Sequence, residues 1–159
     1  MRLALIGLLF GLLLVPTGAG AVASARRVEA GAGISVALPS GWRLVHRSIT
    51  DCSDPAQRLL ATTARGQLRR RFRVPARGAL VLLMESSSGR FPARPPRFHL
   101  PRRFAGSLGG CCEIPTGPGV ELSFRDHGRR FYAFVYVGRR SEARGSTLAL
   151  LNSLRIAAR

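Results

Sequence analysis

Three cysteines, three histidines and eight carboxylates are most of what this 159-residue chain brings to proton transfer, nucleophilic attack or metal binding. Cys52 stands alone, whereas Cys111 and Cys112 are adjacent. A zinc site would need a fourth ligand such as His99 or His127. Neighbours on a strand point to opposite faces, so the adjacent pair does not readily converge on one ion. A cysteine nucleophile assisted by His127 is a second reading. Asp126-His127 also offers a general-base pair, yet Asp-His-Gly between two alternating stretches is what a tight hairpin turn needs. The carboxylates are scattered, which leaves a paired-acid hydrolase unsupported. The chain has no G-x-S-x-G elbow, phosphate-cradling glycine loop, H-E-x-x-H or C-x-x-C. Catalysis is therefore not the expected role, and no cofactor or metal is expected. An enzyme with a dispersed site around Cys111, Cys112 and His127 stands as the alternative.

The other chemistry on offer is positive charge. The chain carries 25 arginines, no lysine and 8 acidic residues, for a net charge of +17. Zero lysine across a whole chain fits the base composition of a GC-rich genome better than a surface selected for anions, because lysine also serves as a point charge for phosphate. The charge is physical whatever its origin, and it should draw the protein to polyanions. Arg94, Arg97, Arg102 and Arg103, on a stiff proline-rich stretch, are the expected anion-binding patch. Phe72, Phe91, Phe98, Phe104, Phe124 and Phe131 each adjoin an arginine. Such interleaving suits single-stranded nucleic acid. It equally describes strands with Phe inward and Arg outward, which is the favoured reading. Pro92-Ala93-Arg94-Pro95 matches P-x-x-P and reads as a rigid connector.

The N-terminus bears on where this chemistry takes place. Arg2 followed by the apolar run Leu3 to Val15, helix breakers at Pro16, Gly18 and Gly20, and Ala23-Ser24-Ala25 read as a secretory signal over residues 1–25, cleaved after Ala25. The competing reading is an uncleaved anchor, since Leu3 to Ala25 is uncharged and a spanning helix needs about 20 residues. Export would make the cysteines legible as a bridge from Cys52 to Cys111 or Cys112. Closing a loop of about 60 residues contributes on the order of 4 kcal/mol in the chain-entropy model. The third thiol would be buried or paired between chains.

Over the whole chain apolar residues make up 46% and charged residues 21%, which excludes a disordered polyelectrolyte and points to one domain. Residues 26–33 read as a flexible Gly/Ala leader and 34–159 as the domain. Ile34 to Leu38 and Trp42 to Ile49 alternate like strands around the turn Pro39-Ser40-Gly41. Asp51 to Pro55 is punctuation. Arg58 to Thr63 suits a strand or the end of a helix. Arg69-Arg70-Arg71-Phe72-Arg73 belongs on a loop or a charged sheet edge. Ala79 to Met84 is apolar without a break, hence a strand buried on both faces. Phe91 to Arg103 holds Pro92, Pro95, Pro96 and Pro101 and forbids a regular ladder. Val120 to Arg125 and Arg130 to Val137 flank the turn His127-Gly128, and both faces of the second strand are apolar. Ser141 to Leu154 is predicted as a helix with Ser141 as N-cap, Glu142 in the first turn, and Thr147, Leu150, Leu151 and Leu154 on one stripe.

Leu38-Pro39-Ser40-Gly41-Trp42, the late aromatic hairpin with Gly128-Arg129, and the closing Leu151-Asn152-Ser153-Leu154-Arg155 form a layout over residues 34–156 that resembles the PsbP-like (Mog-type) superfamily, including secreted bacterial domains of unknown function. The resemblance implies an adaptor or binding scaffold and carries over no catalytic residues. The three cysteines, the arginine load and the proline-rich middle depart from it. The expectation is an α+β fold, a twisted antiparallel sheet of five to six strands with a C-terminal helix packed on it. The expected role is that of an exported, non-catalytic cell-envelope or extracellular binding protein. Its partners would be anionic envelope polymers or lipids, held weakly and salt-sensitively, with no transmembrane segment after processing. No specific nucleic acid is expected, though nucleic-acid binding stands as a further alternative.

Overall fold

A computed structural model describes residues 25–68, 72–104, 107–108 and 115–159. Its frame begins with Arg26–Gly31 (β1) and Ile34–Leu38 (β2), followed by Arg43–Leu44 (β3), Ala56–Thr62 (β4) and Ala79–Ser86 (β5). Ser107–Leu108 (β6), Gly117–Asp126 (β7), Arg129–Val137 (β8), Arg144–Asn152 (α1) and Arg155–Ile156 (β9) complete it. Every strand pairing is antiparallel, in two sheets. The small sheet has the order β1-β2-β9; the large one runs β3-β4-β5-β8-β7, with two-residue β6 added beyond β7.

Period-two alternation explains the large sheet. In β5, Ala79, Val81 and Leu83 enter one core while Leu80, Leu82 and Met84 enter another. β8 divides the same way, with Phe131, Ala133, Val135 and Val137 against Phe134 and Tyr136. A strand covered on both faces has no polar side to spend, and that is why the stretches Ala79 to Met84 and Phe131 to Val137 lack charge, the charges of β5 and β8 being held to their ends. The small sheet and α1 close the first core, through Ile34, Val36, Leu150, Leu151 and Ile156. Irregular segments close the second, through Ile49, Ala64, Leu68 and Val74. The turn between β7 and β8 holds His127 at φ 48° and Gly128 at φ 76°, the left-handed pair that a two-residue hairpin requires.

The architecture corrects the α+β expectation. The described residues form a sheet-rich fold of two antiparallel sheets with one nine-residue helix. The second sheet exists because Arg26–Gly31, expected as a leader, pairs with β2, and Arg155–Ile156 pairs on the other side. Alternation in β1 is hidden in the sequence by small residues, yet Val28 and Ala30 pack on the first core. The helix is shorter than predicted. The Ser141 hydroxyl accepts from the Ala143 N–H inside the preceding turn, so Ser141 is not the N-cap and Glu142 lies before the first helical turn. Trp42 to Ile49 contributes only the two residues of β3, whereas 56–62 is strand rather than helix. Among the described residues no helix is long and apolar enough to cross a membrane.

Candidate functional site

The link from β8 into α1 is pinned backbone to backbone. Gly138 N–H donates to Gly78 O at 2.8 Å, Arg140 N–H to Ala76 O at 2.8 Å, and Ser141 N–H to Gly138 O at 2.9 Å. A Cβ on Gly138 would overlap the carbonyl oxygens of Pro75 and Ala76, so glycine is required there for close approach. This pinning leaves Arg139 and Arg140 exposed at the end of the large sheet, with Arg77 exposed on the facing turn. The proline-rich segment runs alongside α1 toward the same end. Phe98 N–H donates to Asn152 Oδ1 at 2.7 Å, and the Arg144 guanidinium donates to Leu100 O and lies 5.9 Å from the Phe104 ring centre.

Two depressions result. One, of about 380 Å³, is walled by Arg102, Arg103, Arg139 and Arg144 with Ser141, over Phe104, Pro118 and Val137. The other, of about 500 Å³, is lined by Thr63, Arg77, Arg140, Ser141, Glu142 and Ala143. Six arginines thus face a single carboxylate, Glu142. Guanidinium groups bind oxyanions through paired N–H donors, and an arrangement dense in them holds anions rather than transferring protons.

The opposite end of the large sheet collects carboxylates. Glu85 shares the face of Val81 and Leu83 and is buried. Its Oε1 accepts from Arg129 Nε at 2.8 Å, and its Oε2 accepts from Arg129 Nη2 at 3.1 Å, Arg58 Nε at 2.7 Å and Arg159 Nη2 at 2.8 Å. The Arg129 hydrogen bonds hold this carboxyl below the ordinary range against the opposing effect of burial, with Arg58 and Arg159 adding to the pull. Arg129 also donates to Ala32 O at 2.9 Å and Ala157 O at 3.2 Å. Asp54 accepts from the Ser87 backbone N–H at 3.0 Å and from the Ser87 hydroxyl, and these bonds lower its pKa. This constellation is a crosslink between strands, and sequence reading passed over it by treating the acids as scattered. The usable signal was parity: Glu85 falls in step with Val81 and Leu83, and Arg129 with Phe131.

The expected patch is divided by the fold. Arg94 is not available to ligand: its Nη1 pairs with Asp126 Oδ2 at 2.8 Å, its Nη2 donates to Leu154 O at 2.9 Å, and its guanidinium lies 5.5 Å from the Phe98 ring centre. Arg97 is exposed between the two ends, and only Arg102 and Arg103 reach the arginine-lined end. Arg77, Arg139, Arg140 and Arg144 were missed because they come from other segments. His127 is 57% exposed on its turn, with Nδ1 2.7 Å from Asp126 Oδ1. Asp126 is thus engaged by both Arg94 and His127. His46 and His99 are exposed as well. Cys52 lies at the rim of the second core. Cys111, Cys112 and the arginine run 69–71 lie outside the described residues. No group of three or more His, Cys, Asp or Glu side chains suited to a metal ion occurs among the described residues. Of the arginine-flanked rings, Phe98, Phe124 and Phe131 are buried and Phe72, Phe91 and Phe104 half-buried.

Searches for similar proteins return no matching family model, no matching curated protein and no matching solved structure.

Proposed function

We propose that this protein is an exported, non-catalytic binding protein of the cell envelope or extracellular space, held to anionic surfaces by its arginines. The observation that carries the reading is the concentration of six arginines against one carboxylate where β8 passes into α1. Export rests on the N-terminal pattern. Cleavage after Ala25 would keep the whole of β1, Arg26–Gly31. A bridge from Cys52 to Cys111 or Cys112 belongs to the same reading. The Cys/His enzyme gains little from exposed histidines and an Asp126 already engaged by Arg94. Nucleic-acid stacking gains little from rings that are buried or half-buried.

The test is binding of the purified chain to an immobilised sulfated or phosphorylated polymer across a salt series. Affinity should fall steeply as ionic strength rises and the Debye length drops from about 10 Å at 0.1 M toward 3 Å at 1 M. Retention unchanged at high salt, or no retention at low salt, overturns the reading.

A further inference from the structure

Attraction of a positive protein to negative surfaces is general; the distribution of charge here is more specific. Resting on the reading above, we infer that the β8–α1 end is a docking surface for a linear, base-free phosphate-ester polymer. Successive phosphates would be seated in the two adjoining depressions that share Ser141.

Three observations favour a thread over a flat partner. The two arginine-lined hollows are concave and contiguous, meeting at Ser141, so one anionic strand can lie across both. The arginines also come from three separate segments: Arg77 from the turn before β5, Arg102 and Arg103 from the proline-rich stretch, and Arg139, Arg140 and Arg144 from the β8–α1 link. Such a set encloses a path rather than forming a single stripe. Finally, the carboxylates are unevenly placed. Asp54, Glu85 and Asp126 sit at the far end of the large sheet, Glu85 and Asp126 paired with arginines, while among the described residues lining the two near-end hollows the carboxylate is Glu142. At the far end those carboxylates occupy Arg58, Arg94, Arg129 and Arg159, which leaves fewer guanidinium groups open to a polyanion. Phosphate suits the site because each tetrahedral group presents oxygens to several guanidinium forks at once.

The experiment measures binding of the full chain to inorganic polyphosphate, inorganic phosphate, single-stranded DNA of matched charge, and vesicles of phosphatidylglycerol. Three double variants are compared: Arg102→Gln with Arg139→Gln, Arg77→Gln with Arg140→Gln, and Arg90→Gln with Arg125→Gln at the far end. All six side chains are exposed, so folding should be retained, and thermal melts check this. Each near-end pair should weaken polyphosphate binding about tenfold, equivalent to ~1.4 kcal/mol, and the far-end pair by no more than about twofold. Single phosphate should bind far more weakly than the polymer. Equal losses in all three variants would leave general adsorption standing and overturn the docking surface. Tighter binding to DNA or to vesicles than to polyphosphate would overturn the assigned partner. Failure of the unaltered chain to bind any of the polyanions would overturn the adsorption reading itself.

Discussion

Glu85 is where single residues decide the most. One buried carboxylate receives guanidinium donors from Arg129, Arg58 and Arg159 and so ties β5, β8, β4 and the C-terminus together. Arg159 is 62% exposed and adds little, while Arg129 is 5% exposed and depends on its partner. Glu85→Gln keeps the volume but leaves the Arg129 charge buried without a counter-ion. Urea denaturation at neutral pH should show a loss of about 3–5 kcal/mol. The sign of the pH effect follows from a carboxyl held below its ordinary value of 4.5 in the fold. The stabilisation is fully present above that value and is lost as pH falls through the lower folded value. Stability of the unaltered protein should therefore decline on acidification below about pH 4.5, and Glu85→Gln should flatten that slope. An unchanged slope would show that other carboxylates control acid unfolding. The sequence concealed this cluster for a geometric reason. Arg58 sits at a register shift between Gln57 and Leu59, and a bulge re-aims a side chain in a way that alternation alone does not announce.

Whole elements were legible where a strong period met a strong boundary. β5 and β8 have unbroken apolar runs closed by turn residues, and their central place in the large sheet, buried on both faces, follows from that. The β7–β8 hairpin was legible from His127-Gly128. β1 and β9 were not, because β1 sets two arginines and a glutamate among small residues and β9 is only Arg155 and Ile156, so neither carries a period of its own and each is stabilised by the partner it finds. The start of α1 was misplaced because serine satisfies a tight turn as readily as a helix end. Between β8 and α1, Gly138 looks like an ordinary turn glycine, but its constraint is steric. Gly138→Ala places a methyl against two backbone carbonyls that cannot swing aside as a side-chain tip would. The expected loss is about 1–3 kcal/mol by thermal or chemical denaturation, with weakened polyanion binding as Arg139 and Arg140 shift. A neutral result would mean that the Pro75–Gly78 turn yields freely.

At the scale of the molecule, the amount of charge could be read from the sequence and its placement could not. The proline-rich segment carries arginines from one end of the large sheet to the other, so residues eight or nine apart in sequence are at opposite ends: Arg94 locked to Asp126, Arg102 and Arg103 in the open hollow. Conversely, Arg77 and Arg140 are 63 positions apart and line the same depression. Chain reversal, not composition, decides which arginines share a surface. The same dependence on assembly governs the N-terminal edge. Ile34 and Val36 of β2 are completely buried, and β1 is what covers that side of the small sheet, with Arg27 donating to Ser153 O at 3.1 Å beyond α1. If processing occurs after Ala25, β1 is kept; a cut a few residues later would remove it. A chain beginning at Arg26 should therefore be more stable than one beginning at Gly33 by about 2 kcal/mol, from the apolar burial of Val28 and Ala30 and the shielding of β2. Urea midpoints of the two chains measure the difference. Equal midpoints would show that β1 adds nothing to the fold, and would remove the structural reason for placing the cleavage before Arg26 rather than after it.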